Sequence, residues 1–254
     1  MVIGIIGAFD KEVMSVLPHL GNVTESRVAG RTFYCGDYNG NSVVLVLSQW
    51  GKVSASLTAT VLITEFHVDN VLFFGTAGAL AGSVNVGDIV VANRLAQHDY
   101  DSRPLHPRFF VPSIKSTWTV CDPMLHGIAL DSVKEVLSEE YFNGLFPAEK
   151  LAPFGMSAPS CFEGDIVSGD QFISSLEQKH EIVSELPSVL CAEMEGAAVG
   201  QVCTECNIPF AVVRCISDKA DGTAHVDFLT FANSIPPVYA ENIITRYLQK
   251  LTAI

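Results

Sequence analysis

The stretch Asn70-Val-Leu-Phe-Phe-Gly-Thr-Ala-Gly78 decides the fold class of this chain. Its apolar part, Val71 to Phe74, is an uninterrupted run of the kind found in strands that are covered on both faces. Only small residues follow, and we expect the strand to end among them. Two other predicted strands finish in the same way, in Ile6-Gly-Ala-Phe-Asp10 and Cys215-Ile-Ser-Asp218.

These three strand endings favour a ligand site. In open α/β sheets, ligands bind at the carboxyl ends of the strands, and small residues there let a ligand approach the backbone. The plainer interpretation is that each ending is a tight turn between a strand and a helix. None of them matches G-x-G-x-x-G or a Walker loop, so we do not expect a dinucleotide or nucleoside triphosphate site.

Strand-like and helix-like segments alternate along the chain, which is the pattern of an α/β fold. The Asn39-Gly40 pair predicts a hairpin turn. No linker or break in composition divides the sequence, so we expect one domain over residues 1–254. The predicted strands are Val2 to Ile6, Arg31 to Gly36, Ser42 to Ser48, Asn70 to Phe74, Asp88 to Ala92 and Phe210 to Ile216, and the predicted helices are Asp10 to Leu20, Lys52 to Phe66 and Ser234 to Lys250, with Gln97 to Ser116 irregular.

The composition excludes several functional classes. Hydrophobic residues make up 48% of the chain and charged residues 17%, which excludes intrinsic disorder. The net charge of −13 argues against a nucleic-acid partner, which would need a basic face, and against docking on anionic membranes. The high apolar content instead suggests a deep core and a surface buried against another subunit.

The chain shows no sign of a secreted or membrane protein. No Lys or Arg precedes the N-terminal apolar run, so we expect a strand there and not a signal peptide. No run reaches the ~18 apolar residues of a membrane span. The seven cysteines are scattered, and the Cys203/Cys206 pair has no second pair to complete a metal site. We therefore expect a cytoplasmic protein with reduced thiols and no bound metal.

Four carboxylates stand out against this apolar background. Glu12 follows the first predicted strand, Glu193 and Glu195 flank Met194 among small residues, and Asp218 ends the last predicted strand. Taken alone, Glu12 is better explained as a charge that complements a helix dipole. Acidic residues are rarely buried without a partner, and burial keeps a carboxyl group protonated at higher pH. A protonated Asp together with an ionised Glu would be suited to acid–base catalysis.

Six motifs in this order resemble the purine nucleoside phosphorylase/uridine phosphorylase superfamily, and within it the 5′-methylthioadenosine/S-adenosylhomocysteine nucleosidase family. They cover nearly the whole chain. The resemblance implies a three-layer αβα sandwich with a twisted mixed central sheet. It also implies a homodimer, and hydrolysis of the N-glycosidic bond of a nucleoside without a cofactor. The motifs are Gly4-Ile-Ile-Gly-Ala-Phe-Asp-Lys-Glu12, Gly75-Thr-Ala-Gly78, Val86-Gly-Asp-Ile-Val-Val91, Ser168-Gly-Asp-Gln-Phe172, Ala192-Glu-Met-Glu-Gly-Ala-Ala198 and Val213-Arg-Cys-Ile-Ser-Asp218.

The resemblance gives three residues catalytic roles. Glu12 would activate the attacking water. Asp218 would protonate adenine N7, and Ser217 would orient that carboxyl group. The remaining site residues would bind substrate.

The substrate-binding residues fall into groups by the part of the nucleoside they would meet. Glu195 would bind the ribose hydroxyls, with Met194 and Phe9 beneath the sugar. Phe172 and Ile173 would contact adenine, and Phe228 would face the 5′ substituent. Thr76 and Arg214 would help to hold Glu12 and the water, and Glu193 would support the others. The set is completed by Ala8, Ala77 and Gly78.

Two features depart from the family pattern. Trp50 stands where the family usually has a smaller aliphatic residue, and it either lines the site or forms a surface or dimer contact. The segment from Tyr100 to Phe162 is longer and more aromatic than in compact members of the family. In the family, a neighbouring subunit closes the 5′ end of the pocket with the region matching Gln97 to Ser116.

Two rival functions remain open. A phosphorylase on the same fold would need two or three arginines converging on phosphate. This chain has seven arginines, and it carries Phe73 and Phe74 where the phosphorylases have one. A non-catalytic nucleoside-binding relative is disfavoured by the presence of Glu12, Glu195 and Asp218.

Overall fold

The computed structural model describes residues 1–9, 13–156, 158–220 and 230–252, which form one mixed sheet flanked by helices. Strand β10 pairs with both β5 and β6, so the strands β5, β10, β6, β8 and β9 form a closed ring of pairings. Strands β1, β4, β3 and β2 extend the sheet from β5, and β7 pairs with β6. The strands are β1 (Val2–Gly7), β2 (Gly21–Val28), β3 (Arg31–Tyr38), β4 (Asn41–Leu47), β5 (Asn70–Ala79), β6 (Ile89–Gln97), β7 (Thr119–Val120), β8 (Cys161–Ser168), β9 (Val189–Glu193) and β10 (Phe210–Asp218).

The helices cover both faces of this sheet. Along β5, Leu72 and Phe74 belong to one hydrophobic cluster, and Val71 and Phe73 belong to another. Because successive side chains of a strand point to opposite faces, the two clusters lie on opposite sides of the sheet. The α-helices are α1 (Lys52–Thr64), α2 (Pro123–Val136), α3 (Glu139–Leu145), α4 (Ala148–Leu151), α5 (Leu176–Glu185), α6 (Gly196–Glu205) and α7 (Pro236–Leu251), with 3-10 turns at Met14–His19 and Ala152–Phe154.

The predicted three-layer arrangement is confirmed by how these helices pack. Buried residues of α2 and α7 share the cluster that contains Phe74, and buried residues of α1 and α6 share the cluster that contains Phe73. No helix in the described ranges is both long and apolar enough to span a bilayer.

The three strand endings come together as predicted. Strand β5 lies between β1 and β10 and is parallel to both. Their carboxyl ends therefore lie at one edge of the sheet, with Gly7, Gly78 and Asp218 near the ends of the strands. The hairpin prediction is also confirmed, since Asn39 and Gly40 have φ values of 47° and 82° between β3 and β4.

One prediction about an individual element is wrong, and another is described only in part. Strand β5 does not end before Gly75 but continues to Ala79, because β10 pairs with it from Val71 to Gly78 and β9 pairs with Gly78. The helix predicted over Asp10 to Leu20 is described only from Val13 onward, where Met14–His19 forms a 3-10 helix with Pro18 inside it; Asp10 to Glu12 lie outside the described residues. Strands β2, β7, β8 and β9 were not predicted, and no bounds were predicted for helices α2 to α6.

Candidate active site

A cavity of about 400 Å³ opens where β1, β5 and β10 end. It is lined by every described residue that the sequence nominates for catalysis or substrate binding: Ala8, Phe9, Thr76, Ala77, Gly78, Phe172, Ile173, Glu193, Met194, Glu195, Arg214, Ser217 and Asp218. The nominated Glu12 and Phe228 lie outside the described residues.

Four further residues line the cavity. Gly75, Gln171 and Ala192 lie within the quoted motifs, so the motifs themselves were the signal for them. The fourth is Trp50, for which the sequence left a site position and a surface position open. Its ring centroid lies 6.4 Å from that of Phe9, with the two planes tilted by 30°.

The Asp218 carboxylate is held from two sides. The Ser217 hydroxyl donates to Oδ2 at 2.7 Å, and the backbone amide of Ala220 donates to Oδ1 at 2.8 Å. Asp218 is only 4% exposed. A Cβ on Gly78 would come within 2.8 Å of Oδ1, so the absence of a side chain at Gly78 makes room for this carboxylate. The position and orientation of Asp218 in the cavity are therefore fixed.

The Glu195 carboxylate meets a different element. The residue is 6% exposed and stands at the N-terminal cap of α6. Its Oε1 accepts a hydrogen bond of 2.7 Å from the backbone amide of Gly51, the residue before α1. No sequence pattern signalled this contact, because Gly51 and Glu195 are far apart in the chain.

Glu193 and Arg214 form a buried ion pair in the cavity wall. Arg214 NH2 lies 2.7 Å from Glu193 Oε2, and the two side chains are 1% and 2% exposed. The Glu193 carboxylate also accepts hydrogen bonds from the Ser168 hydroxyl and from the amides of Glu195 and Gly196. The guanidinium lies over the ring of Phe73, with its central carbon 4.0 Å from the ring centroid.

This ion pair bears on whether water or phosphate is the nucleophile, because a phosphate site would need two or three free arginines. All seven arginines of the chain are described, and Arg214 is the only one among the residues lining the cavity. Its guanidinium is already bound to a carboxylate.

In the described part of the chain, no group of three or more His, Cys, Asp and Glu side chains could hold a metal ion.

Apolar side chains form much of the remaining wall. Phe172 and Ile173 follow β8, Met194 lies between the two glutamates, and Phe9 and Trp50 lie beside each other. Burial of planar apolar surface against such side chains is favourable. The cavity thus combines a surface for a flat ring with the buried carboxylates of Glu195 and Asp218, in addition to that of Glu193, which is paired with Arg214. This arrangement is suited to a nucleoside.

Comparison with known proteins gives the same indication. The family model described as "Phosphorylase superfamily" matches residues 2–240. A 5′-methylthioadenosine/S-adenosylhomocysteine nucleosidase of Staphylococcus epidermidis is 36% identical over 231 residues, which cover 91% of this chain and 92% of that protein.

Solved structures are similar over their full length. A 5′-methylthioadenosine/S-adenosylhomocysteine nucleosidase from S. pneumoniae, solved with the transition-state inhibitor MT-ImmA, has a TM-score of 0.82 and 30% identity, covering 99% of this chain and 100% of that one. A futalosine hydrolase of Helicobacter pylori has a TM-score of 0.82 and 31% identity, covering 98% of both chains.

Proposed function

This chain belongs to the phosphorylase superfamily, and we propose that it hydrolyses the N-glycosidic bond of 5′-methylthioadenosine or S-adenosylhomocysteine, releasing adenine. Its relatives and structural neighbours named for that activity support the proposal. The observation that carries it is the pair of buried carboxylates, Glu195 and Asp218, in one cavity whose only lining arginine is already paired.

We place the base end of the substrate at Asp218. N-glycosides, like O-glycosides, cleave through an oxocarbenium-like state, so the leaving group must be neutralised as the bond breaks. The carboxyl group of Asp218 would neutralise the leaving adenine by donating its proton to N7. Ser217 and Ala220 hold the side chain in place, and pre-positioning of this kind lowers the entropic part of the barrier.

We place the sugar end of the substrate at Glu195. A carboxylate accepts two hydrogen bonds side by side from vicinal hydroxyls, and the Gly51 amide fixes the orientation of Glu195. Met194 and Phe9 line the cavity beside it. We assign Phe172 and Ile173 to the base, and we assign Glu193 to holding Arg214, since its oxygen atoms already accept protein hydrogen bonds.

The nucleophile is water, which we propose to be activated by Glu12. This role rests on the resemblance of Gly4-Ile-Ile-Gly-Ala-Phe-Asp-Lys-Glu12 to the family, as does the role of Phe228 at the 5′ substituent. Thr76 and Arg214 would help to place the water. The reaction as proposed requires no metal or organic cofactor.

The test of this proposal is release of adenine from 5′-methylthioadenosine by the purified protein in phosphate-free buffer. We expect turnover under these conditions, and strict dependence on added phosphate would contradict it. A second run with S-adenosylhomocysteine as substrate ranks the two nucleosides.

We propose that a second copy of the chain closes the 5′ end of this cavity. Val53 and Leu57, which are 81% and 43% exposed, lie about one turn apart on one face of α1, and Trp50, 60% exposed, stands just before the helix. Leu105, in the irregular segment from Gln97 to Ser116, is 84% exposed. Exposed apolar surface beside a ligand cavity is typical of a subunit contact, and a homodimer is the expectation from the family.

The substitution Val53→Asp is expected to weaken this homodimer, because it would bury a charge in an apolar contact. We expect a shift toward monomer in sedimentation or light-scattering measurements, together with a higher KM for 5′-methylthioadenosine. Met124→Asp is the matched control, since Met124 is an exposed apolar residue on α2, on the opposite face of the sheet. Equal effects of the two variants would contradict this placement of the interface.

We also propose that residues 1–254 form a single domain. The family model spans residues 2–240. Strand pairing runs from Val2 to Asp218 within one sheet.

We further propose that the protein works in the cytoplasm. Its seven cysteines are free thiols, as is usual in a reducing compartment. Burial raises the pKa of Cys161 to about 11 and that of Cys203 to about 12, so these thiols are poor nucleophiles.

A further inference from the structure

The segment that carries Phe172 and Ile173 is tied to the start of α1 by Asp170. The Oδ1 atom of Asp170 accepts a hydrogen bond of 2.8 Å from the backbone amide of Lys52, the first residue of α1. The backbone amide of Asp170 in turn donates to Oδ2 of Asp99 at 2.9 Å. Asp170 is therefore fixed through both its side chain and its backbone.

The start of α1 is thereby held by two carboxylates from distant parts of the chain. Glu195 accepts from the amide of Gly51, and Asp170 accepts from the next amide, that of Lys52. Gly51 is the N-cap of α1, and it has no side chain of its own to cap the helix. Because the first amides of a helix lack partners within the helix, these two carboxylates serve as its cap.

The absence of a side chain at Gly51 allows the Asp170 carboxylate to approach the start of α1 closely. Its φ of +89° favours glycine, and a Cβ at this position would lie 3.0 Å from Asp170 Oδ1. The Lys52 side chain reinforces the contact between the start of α1 and the Asp170 segment. Its Nζ lies 2.5 Å from Asp99 Oδ1 and 3.0 Å from Gln97 Oε1. Burial alone would raise the pKa of Asp99, but the hydrogen bonds from Lys52 and from the Asp170 amide outweigh it and lower that pKa.

We propose that Asp170 is a positioning residue for the reaction. Its carboxylate holds the start of α1 so that the Gly51 amide orients Glu195, while its own segment places Phe172 and Ile173 on the same cavity. One side chain thus sets the spacing between the sugar-binding carboxylate and the surface for the base. This inference rests on the proposed function, and it extends it to a residue outside the cavity lining.

The first test compares Asp170→Ala with Asp170→Asn. The asparagine keeps an oxygen that can accept from the Lys52 amide, whereas the alanine removes it. We expect Asp170→Ala to lose ~10- to 100-fold in kcat/KM for 5′-methylthioadenosine, mostly through KM, since small misplacements of binding groups have effects of this size. Asp170→Asn should stay within ~3-fold of the wild type.

Asp165→Ala is the control for general loss of stability. Asp165 lies on β8, the strand that precedes the Asp170 segment, and its carboxylate accepts hydrogen bonds from Arg94 and Ser188. It does not line the cavity. We expect it to lower the melting temperature without changing kcat/KM. Equal losses of kcat/KM in Asp165→Ala and Asp170→Ala, or none in Asp170→Ala, would overturn the proposal.

The second test removes the donor of the hydrogen bond. Lys52→Pro deletes the amide hydrogen at the first helical position, where proline is well tolerated, and Lys52→Ala keeps the amide but deletes the same ammonium group. We expect Lys52→Pro to have a kcat/KM ~10-fold below that of Lys52→Ala. Equal values for the two variants would contradict a role for this hydrogen bond.

Hydrogen exchange separates the positioning role from the proposed activity. We expect the amides of residues 51–52 to exchange faster in Asp170→Ala than in the wild type or in Asp165→Ala, whatever the substrate is. A wild-type protein that releases no adenine would contradict the proposed function alone. Unchanged exchange in Asp170→Ala would contradict the positioning role alone.

Discussion

Replacement of Asp218 by asparagine is expected to lower kcat for 5′-methylthioadenosine by at least ~100-fold, the usual contribution of a group that transfers a proton in the transition state. Asparagine has nearly the same shape and keeps an oxygen that can accept from Ser217 or Ala220. It has no carboxyl proton to give to adenine N7. The loss should therefore appear in kcat more than in KM, and steady-state kinetics of adenine release would measure it.

Asp88→Asn is the control for this prediction. Asp88 is 5% exposed, as buried as Asp218, and its two carboxylate oxygens accept from the backbone amides of Asn85 and Ser160. It does not line the active-site cavity. We expect Asp88→Asn to lose stability and keep its kcat. Near-normal turnover in Asp218→Asn would remove the basis for the proposed proton transfer.

Replacement of Glu193 by alanine is expected to lower the free energy of unfolding by ~3–5 kcal/mol, the range observed when one partner of a buried ion pair is removed. The loss is large because the Arg214 guanidinium, 1% exposed, would keep its charge without the carboxylate that now faces it. Since domains of this kind are stable by only ~5–15 kcal/mol, urea titration should show a strongly shifted midpoint.

Two further variants bracket this effect. Removing both partners, in Glu193→Ala with Arg214→Met, should destabilise less than the sum of the single changes, because no buried charge is left unpaired. Arg246→Ala breaks a more exposed pair with Glu135 and should lose less than ~1 kcal/mol. A loss below ~1 kcal/mol in Glu193→Ala would show that the buried pair does not stabilise the fold.

The sequence was sufficient for the parts of the fold that depend on local patterns. Buried strands such as β1, β5 and β10 have continuous apolar runs, and Asn39-Gly40 has the chemistry of a tight hairpin turn. The gathering of Gly78 and Asp218 at one sheet edge followed from the parallel order of these strands. The ordered motifs then nominated thirteen described residues, all of which line one cavity.

The rest depended on contacts between distant segments. Strand β5 extends through Gly75 to Ala79 because it pairs with β9 and β10. The small residues in this stretch do not indicate that pairing. Strand β8 mixes polar and apolar residues without a clear pattern, and β9 has only five residues. The contact of Gly51 with Glu195 and that of Lys52 with Asp170 join backbone amides to carboxylates more than a hundred residues away, and no local pattern encodes such a pair.

Product analysis in the presence of phosphate tests the central claim, that this protein is a hydrolase, most directly. The wild-type protein is incubated with 5′-methylthioadenosine, with and without excess inorganic phosphate, and the sugar product is identified by mass spectrometry. We expect free 5-methylthioribose under both conditions, at a rate that phosphate does not raise. The account would be contradicted if 5-methylthioribose 1-phosphate formed in the presence of phosphate and no adenine were released without phosphate.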